Sequence, residues 1–345
     1  MSTPTLLMAA AALGLVTSLL VSSNAMAIGT ALGLLDKPDG ARKLHARPTP
    51  LVGGFAVAGA AIAGAMLALS QAHNTGPLWL ALAVGAMFIV GVIDDRRHLP
   101  PLFRLAIALV VLGSVAAIAP DFQLSVLRFS WMSSAFVLGG AFGLGFTILC
   151  LVGLLNAINL ADGKNGIVTG MGIVWTIVLA VHAPPALWPV LLATGAALAV
   201  TWGFNMAGKL FLGDGGSYAL SALFGLLAIL VYNSPGAGAP AAAMFADDVA
   251  LLFAIPVFDT FRLMAARVAA GRSPFHADRD HLHHHVYARI GWPRGLGVYL
   301  ALVALPNAAA LAWPGTAIAW LAVSFIGYAV VMAMTRFTPA GRPAE

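Results

Sequence analysis

Long apolar runs with almost no charge restrict this chain more than any other feature of its sequence. Charged residues make up only 9% of its 345 residues, whereas a soluble domain carries roughly 25%. A surface so poor in charge suits lipid as a solvent and does not suit water. In lipid every backbone polar group needs an internal partner, and uninterrupted apolar runs favour helices over the alternating strands of a barrel. We therefore expect an all-α, polytopic transmembrane protein.

About ten or eleven of these runs are long enough to cross a bilayer, which takes roughly 20 apolar residues. The boundary between the last two rests on Pro314 and Gly315. No internal repeat or soluble segment divides the chain, so we expect a single membrane domain over residues 1–345. The spans are expected near residues 6–28, 51–71, 77–93, 102–119, 135–155, 166–182, 187–206, 217–233, 249–268, 296–313 and 315–335.

The distribution of positive charge predicts how these spans are oriented. No Lys or Arg precedes Lys37, so the first run lacks the positive start of a signal peptide. Positive charge follows that run, which predicts a periplasmic N-terminus and a cytoplasmic C-terminus. With eleven spans, every Lys and Arg except Arg128 then lies on the cytoplasmic side. The net charge of +5 reflects this orientation, and we expect no nucleic-acid partner.

Most of the carboxylates are expected on that same face, although orientation does not require them there. Asp94 and Asp95 end one of the spans. Carboxylates at membrane helix ends are energetically expensive and usually functional, and two adjacent ones repel unless a cation or a shared proton relieves them. The alternative is a solvated helix end, neutralised by Arg96 and Arg97 that follow.

A polar turn between two apolar runs, residues 156–166, is the second candidate. Its two glycines, Gly163 and Gly166, permit positive φ and close approach to a ligand. Carboxylate and amide oxygens in this turn are suited to a metal or a nucleotide, and Lys164 adds a positive charge. The alternative is an ordinary surface turn. The candidate side chains are Asn159, Asp162 and Asn165.

A glycine-rich turn at residues 213–217 directly precedes another span. Glycine exposes backbone N–H groups near a positive helix N-terminus, which suits a phosphate. Asp214 is the one acid in that turn, so we expect it to be a metal ligand. The alternative is a simple helix cap made by Asp214 or Ser217.

A basic cluster at residues 277–285 is the fourth candidate. If the stretch is helical, His281, His284 and His285 share one face. Such a group can bind zinc, or it can bind a phosphate together with Arg279. A solvated basic face is the alternative.

Together the four candidates describe Mg²⁺-dependent chemistry on phosphates at one membrane face. A transporter or proton pump also uses acids within the membrane. Such a protein binds its substrate near the bilayer midplane and often shows internal repeats, neither of which this sequence suggests.

The chain resembles the polyprenyl-phosphate N-acetylhexosamine-1-phosphate transferase family, and specifically its undecaprenyl-phosphate N-acetylglucosamine-1-phosphate transferase-like branch. The resemblance runs from about residue 36 to 290 and depends on five motifs in the same order. One position departs from a common family pattern, because Asn165 stands where many relatives carry a second Asp. The matching stretches are residues 36–54, Asp94 with Asp95, residues 156–166, residues 213–217 and residues 278–284.

The resemblance implies transfer of a sugar 1-phosphate from a UDP-N-acetylhexosamine to undecaprenyl phosphate, with release of UMP, at the start of cell-envelope polysaccharide synthesis. It implies Mg²⁺, or Mn²⁺ in its place, and a cytoplasm-facing site in the bacterial inner membrane. The other branch, phospho-N-acetylmuramoyl-pentapeptide transferase, is the main alternative, and a homodimer is left open.

The residues and the resemblance together give each candidate side chain a role. Asp94, Asp95 and Asp162 are the expected catalytic residues, and Asp214 is the expected metal ligand. The remaining candidates are expected to bind substrate, namely Lys43, His45, Asn159, Asn165, Arg279, His281, His283 and His284.

Overall fold

The described part of the chain is built almost entirely from helices. The computed structural model describes residues 3–37, 47–70, 75–234, 243–273 and 280–336. These residues form fourteen α-helices: α1 Thr3–Ser23, α2 Ala25–Leu32, α3 Gly53–Leu69, α4 Gly76–Arg97, α5 Pro101–Ile118, α6 Gly140–Ala161, α7 Ile167–His182, α8 Trp188–Met206, α9 Gly213–Asn233, α10 Ala246–Leu252, α11 Ala254–Ala269, α12 Leu282–Ile290, α13 Arg294–Ala312 and α14 Ala317–Arg336.

Eight of the helical segments are long and apolar enough to cross a membrane, so the chain is a multi-pass membrane protein. They are α1, α4, α5, α6, α8 with the short 3₁₀ turn before it, α9, α13 and α14. Helices α10 and α11 form a ninth span if this pair, bent by 73°, is counted as one. Helices α3 and α7 are shorter and apolar. Each of the eleven expected spans coincides with one of these elements, and the all-α membrane fold is confirmed.

Helix α9 is the centre of the bundle, and 94% of the residues in its apolar 18-residue stretch are buried. It packs against α3, α4, α6 and α7. Small residues let the helix backbones approach closely, as is usual where helices associate in lipid. A Cβ atom at Gly54 would lie 2.4 Å from the backbone nitrogen of Gly216, and one at Gly91 would lie 2.2 Å from the carbonyl oxygen of Asp214. The start of α9 is therefore held tightly between α3 and α4.

Two short antiparallel pairs of strands support the ends of the bundle. Strand β1 (Leu35–Asp36) pairs with β2 (Thr49–Pro50), and β3 (Val126–Leu127) pairs with β4 (Phe136–Val137). Just after β2, the N–H groups of Gly53 and Gly54 donate to the carbonyls of Phe211 and Leu212, at 2.9 and 3.0 Å. These bonds place the start of α3 beside the start of α9.

Charged residues gather at the two ends of the bundle. Arg128, the one basic residue expected on the periplasmic side, lies by the C-terminal end of α9 together with Asp247. The Arg128 guanidinium donates to the Tyr232 carbonyl, and Asp247 accepts a bond from the Ser130 N–H at 2.9 Å. Between the ends, large apolar side chains such as Val16 and Leu20 of α1 are about half exposed, which suits contact with lipid.

Candidate active site

Three helix ends meet at one end of the bundle. They are the C-terminal ends of α4 and α6 and the start of α9 itself, and each carries at least one carboxylate. Asp94 and Asp95 come from α4, Asp162 directly follows α6, and Asp214 is the second residue of α9. Residues far apart in sequence therefore form one acidic group.

Asp95 fixes the start of α9. Its two carboxylate oxygens accept bonds from the N–H groups of Asp214 and Gly215, at 2.9 and 3.0 Å. Gly213 adopts φ of +75°, and a Cβ atom there would lie 2.7 Å from Asp95, so glycine suits both this backbone and this contact. The sequence predicted that these N–H groups would bind a phosphate. Two of them bind Asp95 instead, because an anion from the neighbouring helix already satisfies the positive helix end.

Asp94 forms a buried ion pair. Only 2% of Asp94 is exposed, and its Oδ2 atom accepts bonds from Arg104 Nη1 at 2.9 Å and from the Tyr218 hydroxyl at 2.8 Å. Its Oδ1 atom accepts a bond from the Leu99 N–H at 2.8 Å. Asp94 is thus not part of a solvated helix end, and its cationic partner is Arg104 at the start of the next helix.

Asp214 lies at the centre of the acidic group. Its Oδ1 atom accepts a bond from Asn159 Nδ2 at 2.7 Å, and the same amide lies 3.0 Å from Ser217 Oγ. The carboxyl groups of Asp94 and Asp214 are also close enough to interact. Removal from water and the nearby carboxylates of Asp214 and Asp95 raise the pKa of Asp162 well above its ordinary value. Carboxylates this close together make the site strongly attractive to a cation.

The turn after α6 is held in place by hydrogen bonds to α8 and to the segment before α13. Asn205 accepts a bond from the Gly166 N–H at 2.6 Å, and its own amide lies 3.5 Å from Asn165 Oδ1. Trp292 donates to the Asn165 carbonyl at 3.1 Å. Gly166 has φ of +87°, a backbone conformation for which glycine is suited. These bonds fix the turn that carries Asp162.

One histidine brings the fourth candidate motif to this turn. His283 is 1% exposed, and a Cβ atom at Gly163 would lie only 2.1 Å from its Nε2 atom, so the ring packs directly on the turn. His283 Nε2 has no hydrogen-bond partner among the described residues. Removal from water, together with His284 and His281, lowers the pKa of His283 well below its ordinary value. This neutral ring is therefore placed beside the acidic group with an unsatisfied polar atom.

The other histidines do not form one ligand set, contrary to the shared face expected from their spacing. Helix α12 starts only at Leu282, so His281 lies at its N-cap and outside the helix. His281 Nδ1 lies 3.0 Å from Asp259 Oδ2, whereas His285 Nε2 lies 2.6 Å from Asp280 Oδ1. The His283 and His284 rings pack against each other at 4.2 Å.

Several partners in this region were not anticipated from the sequence. The sequence marks Arg104 only as one of the cations expected on the cytoplasmic side, and it carries no signal for Tyr218 or Asn205. Asp259 and Arg262 did carry a signal, since two charges three residues apart within an apolar span indicate a buried pair. Three expected substrate-binding residues lie outside the described residues, namely Lys43, His45 and Arg279.

The donor set of the site fits a hard divalent cation. Asp162 lies close enough to Asp95 and Asp214 for their charges to interact, Arg104 is bonded to Asp94, and all the ligand atoms that these carboxylates offer are oxygens. Within the described ranges, no three His, Cys, Asp or Glu residues form a group that can hold a metal by themselves. Mg²⁺ suits such a site, because it binds one or two carboxylates and completes its octahedron with water and substrate phosphates.

The fold and the site define a multi-pass membrane protein with an acidic, cation-attracting site at one end of its helical bundle. The chain belongs to glycosyl transferase family 4, whose family model matches residues 77–232. It is therefore an enzyme of the transferase class, which confirms the expectation from its sequence motifs.

Three relatives illustrate the similarity. The probable undecaprenyl-phosphate N-acetylglucosaminyl 1-phosphate transferase of Bacillus subtilis is 28% identical over 284 residues, covering 79% of this chain and 75% of the relative. The undecaprenyl-phosphate alpha-N-acetylglucosaminyl 1-phosphate transferase of Escherichia coli K12 is 30% identical over 263 residues, covering 73% and 69%. The decaprenyl-phosphate N-acetylglucosaminephosphotransferase of Mycolicibacterium smegmatis is 27% identical over 272 residues, covering 70% and 66%.

Proposed function

We propose that this protein transfers N-acetylglucosamine 1-phosphate, or a related N-acetylhexosamine 1-phosphate, from a UDP-sugar to undecaprenyl phosphate. The products are a polyprenyl-diphosphate sugar and UMP. The observation that carries the proposal is the meeting of Asp94, Asp95, Asp162 and Asp214 at one end of α9. The names of the relatives support this transferred group and a polyprenyl-phosphate acceptor, and they do not favour the peptidoglycan branch.

A bound cation is needed before two phosphate substrates can enter this site. The donor brings a diphosphate and the acceptor brings a phosphate, so carboxylates alone would repel both. Mg²⁺, or Mn²⁺ in its place, would be held by Asp214 with Asp162, and it would neutralise charge on the diphosphate and on departing UMP. Asn159 donates to Asp214 and fixes the direction of that carboxylate.

The proposed reaction is a direct displacement at the phosphorus that carries the sugar. An oxygen of the lipid phosphate forms the new P–O bond, and the bond to the UMP oxygen breaks. A phosphate monoester has a second pKa near 6, so at neutral pH the acceptor is mostly a dianion and needs little help from a base. Asp94 and Asp95 therefore serve mainly to position groups, Asp95 by fixing the start of α9 and Asp94 by holding Arg104.

His283 is the side chain best placed to contact the donor. Its buried, unpartnered Nε2 atom lies against the turn that carries Asp162. A substrate hydroxyl or phosphate that reaches this atom would satisfy it. Asn165, Lys164, His281 and His284 border the same region, and we propose that the neutral amide of Asn165 acts through hydrogen bonds and does not serve as a base.

We further propose that the protein lies in the bacterial inner membrane with this site on the cytoplasmic side. The lipid tail of the acceptor would remain in the bilayer while its phosphate reaches the acidic group at the helix ends. One chain forms one membrane domain in this proposal.

A panel of UDP-sugars tests the proposed function. Purified protein in lipid nanodiscs is mixed with undecaprenyl phosphate, Mg²⁺ and one UDP-sugar at a time, and UMP release is measured. We expect release with UDP-N-acetylglucosamine or a close epimer, and none without the lipid phosphate. Preference for UDP-N-acetylmuramoyl-pentapeptide would instead assign the chain to the peptidoglycan branch, and no release with any donor would contradict the proposal.

A further inference from the structure

Asp259 is the centre of a second charged network that lies outside the acidic group. This residue of α11 is 5% exposed and accepts bonds from its own helix and from two other helices. Its Oδ1 atom accepts from Arg262 Nη2 at 3.0 Å and from the Tyr328 hydroxyl at 2.8 Å. The Leu282 N–H lies 3.2 Å from both of its oxygens. Together with the His281 ring, these contacts join α11, α12 and α14 at a single carboxylate.

Asp280 extends this network to the surface. It accepts bonds from Arg262 Nη1 at 2.8 Å, Arg336 Nη2 at 3.0 Å and His285 Nε2 at 2.6 Å. Partial burial by itself raises the pKa of Asp280, but the hydrogen bonds from Arg262 and His285 lower it to about 2. Asp280 is therefore an anion at neutral pH, and Arg262 binds both it and Asp259.

The bond from Asp259 determines the state of the His281 ring. A carboxylate that accepts from one ring nitrogen keeps the proton on that nitrogen and fixes the orientation of the ring. His281 therefore carries its proton on Nδ1 and is held in one plane. The His283 ring lies parallel to it, with the centroids 5.4 Å apart and the planes 10° apart.

His283 links this network to the proposed donor site. Its ring packs between His281 and the backbone of Gly163. Since Asp259 also binds the Leu282 N–H, the same carboxylate fixes the start of α12 and thus the backbone that carries His283.

We propose that Asp259 is a positioning residue for the transferase reaction, which holds His281 and through it fixes His283 beside the Asp162 turn. The network reaches the C-terminal helix α14 through Tyr328, so that helix takes part in forming the site. The inference builds on the proposed function, because it concerns the donor side of that site. Asp259 itself touches neither the acidic group nor any substrate in this account.

The test compares two buried carboxylates of the same bent helix pair. Asp259→Asn removes the charge and keeps the shape. Asp247→Asn is the matched control, because Asp247 is 1% exposed and accepts bonds from Ser130 at the opposite end of the bundle. Thermal unfolding, turnover and the KM for the donor are measured for both variants in nanodiscs.

We expect Asp259→Asn to lower kcat by about 10- to 100-fold, the range measured when a carboxylate that orients a metal-ligating histidine is removed. Asp247→Asn should keep wild-type turnover, although its thermal midpoint should fall by at least as much as that of Asp259→Asn. If the two variants lose turnover alike, in proportion to lost stability, Asp259 only fastens the helices and the proposal is wrong. Full turnover of Asp259→Asn would equally overturn it.

A spectroscopic measurement makes the inference independent of catalysis. Solid-state NMR of protein labelled with nitrogen-15 at histidine reports which ring nitrogen carries the proton, and the variant His281→Gln assigns the His281 signals. In wild type we expect His281 protonated at Nδ1, and in Asp259→Asn we expect changed signals from both His281 and His283. Unchanged His283 signals would contradict the proposal even if no UDP-sugar proves to be a donor, whereas inactivity of wild type would contradict only the proposed function.

Discussion

Gly91→Ala tests whether the contact between α4 and α9 sets the geometry of the acidic group. A Cβ atom at this position would lie 2.2 Å from the carbonyl oxygen of Asp214 and 2.6 Å from Cα of Gly215. Both are backbone atoms of a helix, so no side chain can rotate away to make room. Restoring an ordinary contact of 3.4 Å from 2.2 Å requires the two helices to separate locally by about 1.2 Å.

That separation moves Asp94 and Asp95 away from Asp214. A misplacement of about 1 Å can cost roughly 100-fold in rate, which corresponds to about 2.7 kcal/mol. Overpacking of this kind also lowers stability by about 1–3 kcal/mol. We therefore expect Gly91→Ala to fold with a lower thermal midpoint and to lose about 100-fold in UMP release.

Gly85→Ala is the matched control on the same helix. A Cβ atom there would meet only the end of the Ile62 side chain at 3.6 Å, an ordinary contact. Turnover and stability of this variant should stay close to wild type. Wild-type turnover of Gly91→Ala with an unchanged thermal midpoint would refute the reasoning, because it would mean that the carboxylates do not depend on this close approach.

Four further predictions follow from the site and from the sequence. Asp214→Asn should lose at least roughly 100-fold in turnover at a fixed Mg²⁺ concentration and still fold, and near-normal activity would show that this carboxylate does not hold the metal. Arg104→Gln leaves the buried Asp94 carboxylate without its cation and should cost about 2 kcal/mol by denaturant unfolding, more than Tyr218→Phe. The pKa of His283 is lowered in the folded state, so the unfolded chain takes up a proton first as the pH falls below about 6.5, and the folded state loses stability there. His283→Gln should therefore weaken this acid dependence of the thermal midpoint. Reporter fusions after residue 74 should be periplasmic and fusions after residue 285 cytoplasmic, and finding both on one side would contradict the predicted orientation.

The helices could be predicted from sequence because hydrophobicity is a local signal. The break between the last two spans was predicted at Pro314 and Gly315, and α13 ends at Ala312 while α14 begins at Ala317. The bend between α10 and α11 was not predicted, because residues 249–268 are apolar enough to be interpreted as one uninterrupted span. The hydrophobic pattern records length and burial but not the direction of the chain.

The members of the acidic group and Asn159 were also found from sequence, whereas the partners of Asp94 and Asp95 were not. Asp95 binds the start of α9 across more than one hundred residues, and only the close approach of glycine-bearing helices makes this possible. Two N–H groups of the expected phosphate site at residues 213–217 bind Asp95, so the anion at these two groups comes from the protein. The shared face expected for His281, His284 and His285 required a helix that includes His281, but α12 begins one residue later, at Leu282.

Donor labelled with phosphorus-32 at the β-phosphate tests the central claim most directly. The account predicts that Mg²⁺-dependent turnover with undecaprenyl phosphate moves the label from the UDP-sugar into the lipid and releases unlabelled UMP. Transfer of the sugar alone would leave the label in soluble UDP and would contradict the proposal that this membrane enzyme transfers a sugar phosphate.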